Sequence, residues 1–356
     1  MSEKFISKST ATMQETLADI ANIVENRLRR FFEELEENTQ NTWFDTMLTD
    51  VPAAQVMDLT LRPAKRLRAT LVWAGAALFD PHAARGSAVI DTAAVMELLQ
   101  SYLLIHDDIM DGSDTRRGGP SVHITLGAYA GNKKLGDALG ILAGDQASAF
   151  AQLLLADLEV DDSIARQVQK IIAKMHLDVI HGQSLDMLEE VSAYEIALHK
   201  TASYTTIGPL ASGATLVGAR ESEIDALAKA AAVLGVAFQF RDDVLSTFGD
   251  PSRTGKSADT DLLEGKRTVL IEEARARADR LQWKRIEAVL GNPDAAPEAV
   301  AAARDAIVRC GAKAACETHV SELTEEFIQA MQRNYFGVDA KHFLIQLAKY
   351  LGERET

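Results

Sequence analysis

Prolines are rare in this 356-residue chain, and their spacing is the feature that most limits its fold. Only eight occur, and none lies between Pro120 and Pro209. Proline interrupts helices because it lacks an amide hydrogen and its ring clashes with the preceding turn. Alanine and leucine are abundant, whereas runs of β-branched residues are short and scattered. The sequence therefore predicts an all-α fold of mostly long helices.

Apolar periodicity predicts where these helices begin and end. The predicted helices cover residues 65–79, 88–111, 133–156, 163–191, 193–217, 221–247, 267–290 and 298–351. Glycine-bearing loops over 112–122 and 249–266 interrupt them, and 291–297 is interpreted as a connection between helices. Residues 1–12 are polar and are expected to be flexible, and residues 13–356 are expected to form one all-α domain.

Composition excludes several classes of function. The formal charge is −15, and nucleic-acid binding is not expected because it requires a basic surface. No apolar run reaches the roughly 18 residues of a membrane span, and no secretory segment opens the chain, so we expect no transmembrane segment. Cys310 and Cys316 lie six apart in a predicted helix, too poorly oriented for a disulfide. Two reduced thiols favour a cytoplasmic protein.

The first of two aspartate-rich segments closes an apolar helix. Asp107 and Asp111 are four residues apart, so on a helix their side chains share a face about 6 Å apart. Two carboxylates at that spacing repel each other unless a cation lies between them, and hard oxygen ligands favour Mg²⁺. Asp108 points about 100° away and is better placed to support the ligands. A solvated acidic helix end is the alternative, and the apolar residues before the motif disfavour it.

Basic and amide side chains accompany this motif at three places. Lys65 and Arg68 are three residues apart at a helix start, where they could converge on one anion. Gln100 lies two helical turns before the first aspartate and on the same face. Arg116 and Arg117 are adjacent in a loop, point in different directions and could each hold a different diphosphate. The two basic groups alone are also compatible with an ordinary charged surface, and Gln100 with a glutamine whose partners are neighbouring backbone groups.

The second aspartate-rich segment lies about 135 residues later. Gln239 and Asp242 are three apart and share a helix face, but the residue four beyond Asp242 is Ser246 rather than a carboxylate. This segment is therefore predicted to bind metal more weakly than the first, through Asp242 alone and with the help of ligand oxygens.

Lysines occur both before and after the second segment in the sequence. Lys200 and Thr201 place polar groups inside an apolar helix, and Lys256 and Lys266 lie in the following glycine-bearing loop. A closing loop could bring the latter two over a phosphate.

Taken in order, these motifs resemble the trans-isoprenyl diphosphate synthases over roughly residues 60–350. The matching set is Lys65…Arg68, Gln100, DDIMD followed by DTRRG, GQSLD, Lys200-Thr201, FQFRDD, GDPSRTGK and EGKRT. The resemblance implies the isoprenoid synthase fold, a single helical bundle around a deep central cavity, usually as a homodimer. It also implies condensation of isopentenyl diphosphate with allylic diphosphates, namely dimethylallyl, geranyl or farnesyl diphosphate.

The resemblance assigns roles to residues of this chain. About three Mg²⁺ ions on the allylic diphosphate would be bound by Asp107, Asp111 and Asp242. That diphosphate would be held by Arg116, Lys200 with Thr201, Gln239, Lys256 and Lys266. Isopentenyl diphosphate would be held by Lys65, Arg68, Gln100 and Arg117. The chemical step would depend on Asp107, Asp111, Arg116, Lys200 and Asp242.

Three positions depart from the family pattern. Ala64 replaces a glycine and Ala69 a proline, and both changes are mild. Ser246 replaces the last aspartate of the second motif, so we expect an active enzyme with a raised Mg²⁺ requirement.

Product length depends on bulky residues just before the first motif. Tyr102 lies five residues before Asp107, about 7.5 Å down the helix axis, whereas a helical wheel places Leu103 closer to the carboxylate face. Either residue could form the floor of the tail cavity. By resemblance, an aromatic residue at position 102 predicts geranylgeranyl diphosphate as the product, with farnesyl diphosphate second.

Two other functions remain open. A class I terpene cyclase shares the acidic helix but would leave Lys65, Arg68 and Arg117 unused. A non-catalytic subunit that regulates a sister synthase is encouraged only by Ser246, because such subunits usually lose residues of the first motif.

Overall fold

In the computed structural model, the described residues are 12–38, 51–188, 191–249, 259–334 and 336–353. The first part of the chain contains α1 (Met13–Asn38), α2 (Val51–Leu61), α3 (Leu67–Ala77), a 3₁₀ turn (Ala83–Arg85), α4 (Ser87–Met110), β1 (Thr115–Arg116), β2 (Gly119–Pro120), α5 (Val122–Ala130) and α6 (Lys133–Ala156). The second part contains α7 (Asp162–Leu188), α8 (Ala193–Ile196), a π-helical segment (Ala197–Ile207), α9 (Gly208–Leu216), α10 (Glu221–Phe248), α11 (Thr260–Glu264), α12 (Val269–Arg277), α13 (Arg280–Glu287), α14 (Pro297–Arg309), α15 (Ala312–Arg333) and α16 (Val338–Glu353). The predicted all-α fold is confirmed.

Local sequence signals account for several helix ends. α5 ends at Gly131, whose φ of 64° is the left-handed conformation that glycine adopts without strain. Asn132 then caps α6 by accepting a hydrogen bond from the Leu135 amide at 3.1 Å. Ser192 and Glu195 form a capping box at the start of α8.

The bundle is organised around α4 and α10. α4 packs against α3, α6 and α9, and α10 packs against the π-helical segment and α15. Two apolar clusters fill the interior, and Ile207 packs against both. α10 contributes Leu234 to the first cluster and Val236 to the second. α10 and the π-helical segment therefore join the two parts of the core.

The structure differs from the sequence-based boundaries in several places. The helix predicted over 193–217 has π-helical geometry in its middle, which apolar periodicity does not distinguish from an α-helix. The helix predicted over 267–290 is broken after α12, and Asp279 caps α13. The stretch 298–351 is three helices, interrupted at Gly311 and again after α15. The loop over 112–122 contains a two-stranded ribbon that pairs Thr115 with Pro120.

Two helices of the described ranges, α4 and α6, are long and apolar enough by composition to cross a bilayer. Core helices of water-soluble proteins pass the same test. Of the most apolar 18-residue window in each helix, 67% is buried inside the bundle in α4 and 44% in α6. The expectation of no membrane span therefore stays a prediction.

Candidate active site

One cavity of about 550 Å³ lies between α4, the π-helical segment and α10. Most of the residues singled out from the sequence line it: Lys65, Arg68, Gln100, Asp107, Arg116, Arg117, Lys200, Thr201, Gln239, Asp242 and Lys266. Residues far apart in the chain are thus brought together at one cavity. Lys256 lies outside the described residues.

The aspartates of α4 are paired with lysines from distant elements. Asp107 Oδ1 lies 3.5 Å from Lys200 Nζ, and its Oδ2 lies 3.7 Å from Arg116 Nη2. Asp111 is not a lining residue, but its Oδ2 lies 2.6 Å from Lys266 Nζ, which does line the cavity. Each carboxylate therefore faces a cation of this chain.

Asp108 points away from the cavity and holds an arginine. Its carboxylate is fully buried and accepts hydrogen bonds from Arg116, with Nε at 2.7 Å. A buried carboxylate with two guanidinium contacts is a rigid anchor. Arg116 therefore has a fixed orientation toward the cavity.

The two lysines are held by further acidic groups. Lys200 Nζ donates to Asp186 at 2.6 Å, and Lys266 Nζ lies 2.8 Å from Glu264. Burial by itself would lower both lysine pKa values, but the surrounding carboxylates outweigh it and raise them. Both lysines are therefore charged at neutral pH. We call Asp107, Asp186, Asp242, Arg116, Lys200 and Lys266 the acidic wall.

The second motif is arranged differently. Gln239 Oε1 accepts from Thr201 Oγ1 at 2.5 Å, and its Nε2 donates to Asp243 at 2.7 Å. Asp243 also accepts from the Val269 amide at 3.1 Å, and burial raises its pKa to about 8. Ser246 Oγ donates to the Asp243 carbonyl at 2.9 Å. Asp242 and Asp243 both line the cavity, but the carboxylate of Asp243 is already engaged by Gln239 and the Val269 amide.

The same cavity is also lined by Lys65, Arg68, Gln100 and Arg117, which we call the basic wall. α3 begins only at Leu67, so the predicted helical spacing of Lys65 and Arg68 is wrong. The two residues instead flank Arg66, whose φ of 49° turns the chain before the helix. Arg68 donates to Thr205 Oγ1 at 2.7 Å and lies over the Tyr204 ring, 4.2 Å from its centroid.

Arg117 and Gln100 of the basic wall differ in how their polar atoms are satisfied. Arg117 lines the cavity, its Nη1 donates to the Leu59 carbonyl at 3.1 Å, and its Nη2 lies 3.9 Å from the Glu97 carboxylate. Gln100 is 7% exposed, and its Oε1 has no hydrogen-bond partner among the described residues. A buried polar atom without a partner is costly unless a ligand satisfies it.

The two candidate floor residues do not line the cavity. Tyr102 contacts His106 and His176, with ring centroids 4.9 and 5.6 Å away, and Leu103 is half-buried. Leu104, Tyr204 and Phe238 are among the apolar residues that line it instead. The floor at Tyr102 or Leu103 therefore stays a prediction.

The donor set suits a metal that arrives together with an anion. Among the described residues, no three acidic, histidine or cysteine side chains are grouped closely enough to hold a metal by themselves. Asp107, Asp111 and Asp242 nevertheless provide the hard oxygen atoms that Mg²⁺ prefers. A diphosphate could supply the remaining oxygens. It could also form ion pairs with Lys200 and Lys266, which now pair with Asp107 and Asp111.

The comparisons with known proteins agree with this geometry. Residues 51–307 match the family model for polyprenyl synthetase. The chain belongs to this family. Like its relatives, the synthase is a prenyltransferase that elongates isoprenyl diphosphates, and it most resembles geranylgeranyl diphosphate synthases.

Relatives with different product names show similar identity to this synthase. It is 34% identical to the short chain isoprenyl diphosphate synthase of Methanocaldococcus jannaschii over 60% of this chain, and spans only 63% of that protein. It is 31% identical to the geranylfarnesyl diphosphate synthase of Aeropyrum pernix, over 82% of this chain and 90% of that protein. The solved geranylgeranyl pyrophosphate synthase of Corynebacterium glutamicum shares 32% identity and a TM-score of 0.86, covering 97% of this chain and 100% of that one.

Several residues of the synthase's site were missed by sequence reasoning. Asp186 and Glu264 bind the two site lysines, Asp243 orients Gln239, and Glu97 lies behind the basic wall. Glu97 could have been found, because it is a charged residue in an apolar helix one turn before Gln100. Asp186 lies in the GQSLD motif, but its contact with Lys200, like that of Glu264 with Lys266, depends on the tertiary structure.

Proposed function

We propose that this synthase condenses isopentenyl diphosphate with allylic diphosphates in a Mg²⁺-dependent reaction whose main product is geranylgeranyl diphosphate. The observation that carries the proposal is the presence of two differently built walls in one cavity. The acidic wall combines carboxylates with lysines, whereas the basic wall has arginines, a lysine and an amide. One enzyme that binds two diphosphates for different purposes needs both kinds of wall.

The acidic wall would bind the allylic substrate. Asp107, Asp111 and Asp242 would hold about three Mg²⁺ ions, which stabilise the negative charge of the departing diphosphate when bound. Magnesium is also present with isoprenyl diphosphate in the Corynebacterium glutamicum structure. Lys200 and Lys266 would exchange their carboxylate partners for diphosphate oxygens. Their charge assists cleavage of the allylic C–O bond because it is fixed before the reaction.

Arg116, Gln239 and Thr201 would complete this half of the site. Asp108 binds the Nε and Nη2 edge of Arg116, so Arg116 would offer its remaining N–H groups to the diphosphate. Thr201 and Gln239 are linked to each other and to Asp243, so their positions are fixed before substrate binds. Lys256 is proposed from the family motif alone.

The basic wall would bind isopentenyl diphosphate. Lys65, Arg68 and Arg117 supply the charge, and the unpartnered Gln100 Oε1 would be satisfied on binding through a water or a rearranged amide. The double bond of this substrate attacks the allylic cation, a new carbon–carbon bond forms, and one proton leaves to the released diphosphate. Leu104, Tyr204 and Phe238 keep water away from the cation.

Product length, assembly and location complete the proposal. Tyr102, with Leu103 as the alternative, would limit the tail to twenty carbons, and farnesyl diphosphate is the second candidate. A homodimer would cover apolar side chains exposed on α6 and α7, such as Leu142 (54% exposed) and Leu177 (69%). A cytoplasmic location agrees with the unpaired Cys310 and Cys316.

The test is incubation of the purified chain with Mg²⁺, isopentenyl diphosphate and each allylic primer, followed by chromatography of the dephosphorylated products. A single twenty-carbon alcohol is expected. Hydrocarbon formed from an allylic diphosphate alone would instead indicate a terpene cyclase. No condensation with any primer would favour a regulatory subunit, and chelation of the metal must stop the reaction.

A further inference from the structure

A buried acidic side chain, which the proposed chemistry does not use, lies behind the basic wall. Glu97 is 2% exposed and lies in α4, one turn before Gln100. Its Oε2 accepts a hydrogen bond from Arg66 Nη1 at 2.9 Å and lies 3.9 Å from Arg117 Nη2. Arg117 lines the cavity, whereas Glu97 and Arg66 do not. The carboxylate is therefore one layer removed from any ligand.

Arg66 is fixed on several sides. It is 2% exposed, and its Nη2 donates to the carbonyl oxygens of Thr60 at 2.7 Å and Arg62 at 3.1 Å. Its φ of 49° is a conformation that arginine keeps only when its surroundings impose it. Because this turn lies between Lys65 and α3, the contacts of the Arg66 side chain also fix the direction in which Lys65 reaches the cavity.

Arg117 depends on the same carboxylate. Its φ of 50° is also left-handed, so its backbone too is held by its surroundings. Burial lowers the pKa of Arg117 to about 10; the charge of Glu97 opposes that shift, and Arg66, Arg68 and Arg116 add to it. Glu97 is thus the negative charge that allows several guanidinium groups to remain close together before a diphosphate arrives.

We propose that Arg66 and Glu97 form a positioning pair for the second substrate. The pair fixes Arg117 and the turn that carries Lys65 in the geometry that binds the diphosphate of isopentenyl diphosphate, without touching that ligand. The inference rests on the proposed function. It predicts a selective effect, because Arg116, Lys200 and Lys266 of the acidic wall have their own carboxylate partners.

The decisive experiment compares Glu97→Gln with the wild-type enzyme. Steady-state kinetics give KM for each substrate and kcat, and equilibrium dialysis with labelled isopentenyl diphosphate gives its binding constant without turnover. We expect KM and the dissociation constant for isopentenyl diphosphate to rise at least tenfold. KM for the allylic primer should stay within twofold of the wild-type value.

Asp91→Asn is the matched control. Asp91 lies in the same helix, six residues before Glu97, and its Oδ1 accepts from Arg27 Nε at 2.5 Å. The same carboxylate-to-amide change therefore breaks an ion pair of α4 away from the cavity. This variant should unfold at a lower temperature and keep both KM values.

Glu97→Asp keeps the charge but shortens the side chain, and it provides the second variant if Glu97→Gln does not fold. A rise of about threefold in KM for isopentenyl diphosphate, intermediate between wild type and Glu97→Gln, is expected. The proposal is overturned if both substrates are affected equally or if neither is affected. A wild-type enzyme that binds isopentenyl diphosphate without condensing it would refute the proposed function, while the dialysis still decides the role of Glu97.

Discussion

The two aspartate-rich motifs look alike in sequence but do different work in the structure. In the motif that closes α4, each of the three aspartates is paired with a basic side chain: Asp108 with Arg116, Asp107 with Lys200 and Asp111 with Lys266. On α10, Asp243 is buried at the cavity and burial raises its pKa to about 8, while Ser246 Oγ donates to the Asp243 backbone carbonyl. The number of metal ligands that a motif offers therefore depends on which of its carboxylates are buried, and not on how many carboxylates it contains. We therefore predict that the α4 motif binds metal more strongly.

The largest effect should come from removing a carboxylate of α4. Asp107→Asn should lower kcat/KM about a thousandfold, or roughly 4 kcal/mol, because it removes a metal ligand and the partner of Lys200. Asp242→Asn should cost less, on the order of a hundredfold. Initial rates at saturating Mg²⁺ measure both, with Asp91→Asn as the control on α4. Equal losses in the two variants would contradict the difference between the motifs.

Neighbouring aspartates of α10 provide the next test. Asp243→Asn should reduce kcat/KM less than about tenfold, because an aspartate with a raised pKa is already neutral at pH 7 and an amide is a neutral replacement. The side-chain amide of Gln239 can rotate by about 180° so that its oxygen accepts a hydrogen bond from the asparagine amide. The rates of Asp243→Asn and Asp242→Asn are compared at the same pH. A greater loss for Asp243→Asn would mean that its carboxylate works in the ionised form.

Restoring a carboxylate on α10 should have a moderate effect. Ser246 lines the cavity with Asp242, so Ser246→Asp adds an oxygen ligand on the same side. The Mg²⁺ concentration for half-maximal rate should fall roughly three- to tenfold, since charge count tunes metal affinity. Ser246→Asn, of similar size but uncharged, is the control. If both variants require as much Mg²⁺ as the wild type, the serine does not limit metal binding.

The smallest effect on rate should come from the tail cavity. Tyr102→Ala should lengthen the products beyond twenty carbons while the initial rate changes less than about threefold, because the residue belongs to neither wall. Leu103→Ala is the comparison on the next face of α4. Chromatography of the dephosphorylated alcohols measures the change. If only Leu103→Ala lengthens the products, then Leu103 forms the floor, and an unchanged profile in both excludes this part of α4.

Helical spacing was sufficient to predict that Asp107 and Asp111 lie on the same side of their helix. Asp107 and Asp111 are four residues apart, and a helix places them on one side whatever the surrounding fold. Asp108 was correctly expected to point elsewhere, and it holds Arg116. The all-α fold was equally predictable, because it depends on the same local regularity and on the scarcity of proline.

The basic half of the site was less predictable, because it depends on backbone conformations that local sequence does not reveal. Arg66 and Arg117 both have positive φ values, which are unusual for arginine and are imposed by tertiary contacts. For the same reason the π-helical turns around Lys200 were not foreseen. There Gly182 of α7 lies against the Lys200 backbone so closely that a Cβ would collide with the amide nitrogen.

The most direct test of the two-wall account is an equilibrium binding measurement with two labelled ligands and no turnover. An allylic diphosphate analogue with sulfur in place of the reacting oxygen would occupy the first site, and isopentenyl diphosphate the second. The account predicts one of each per chain, with allylic binding lost on metal chelation and isopentenyl binding retained. Competition between the ligands for a single site, or an equal metal requirement for both, would contradict it.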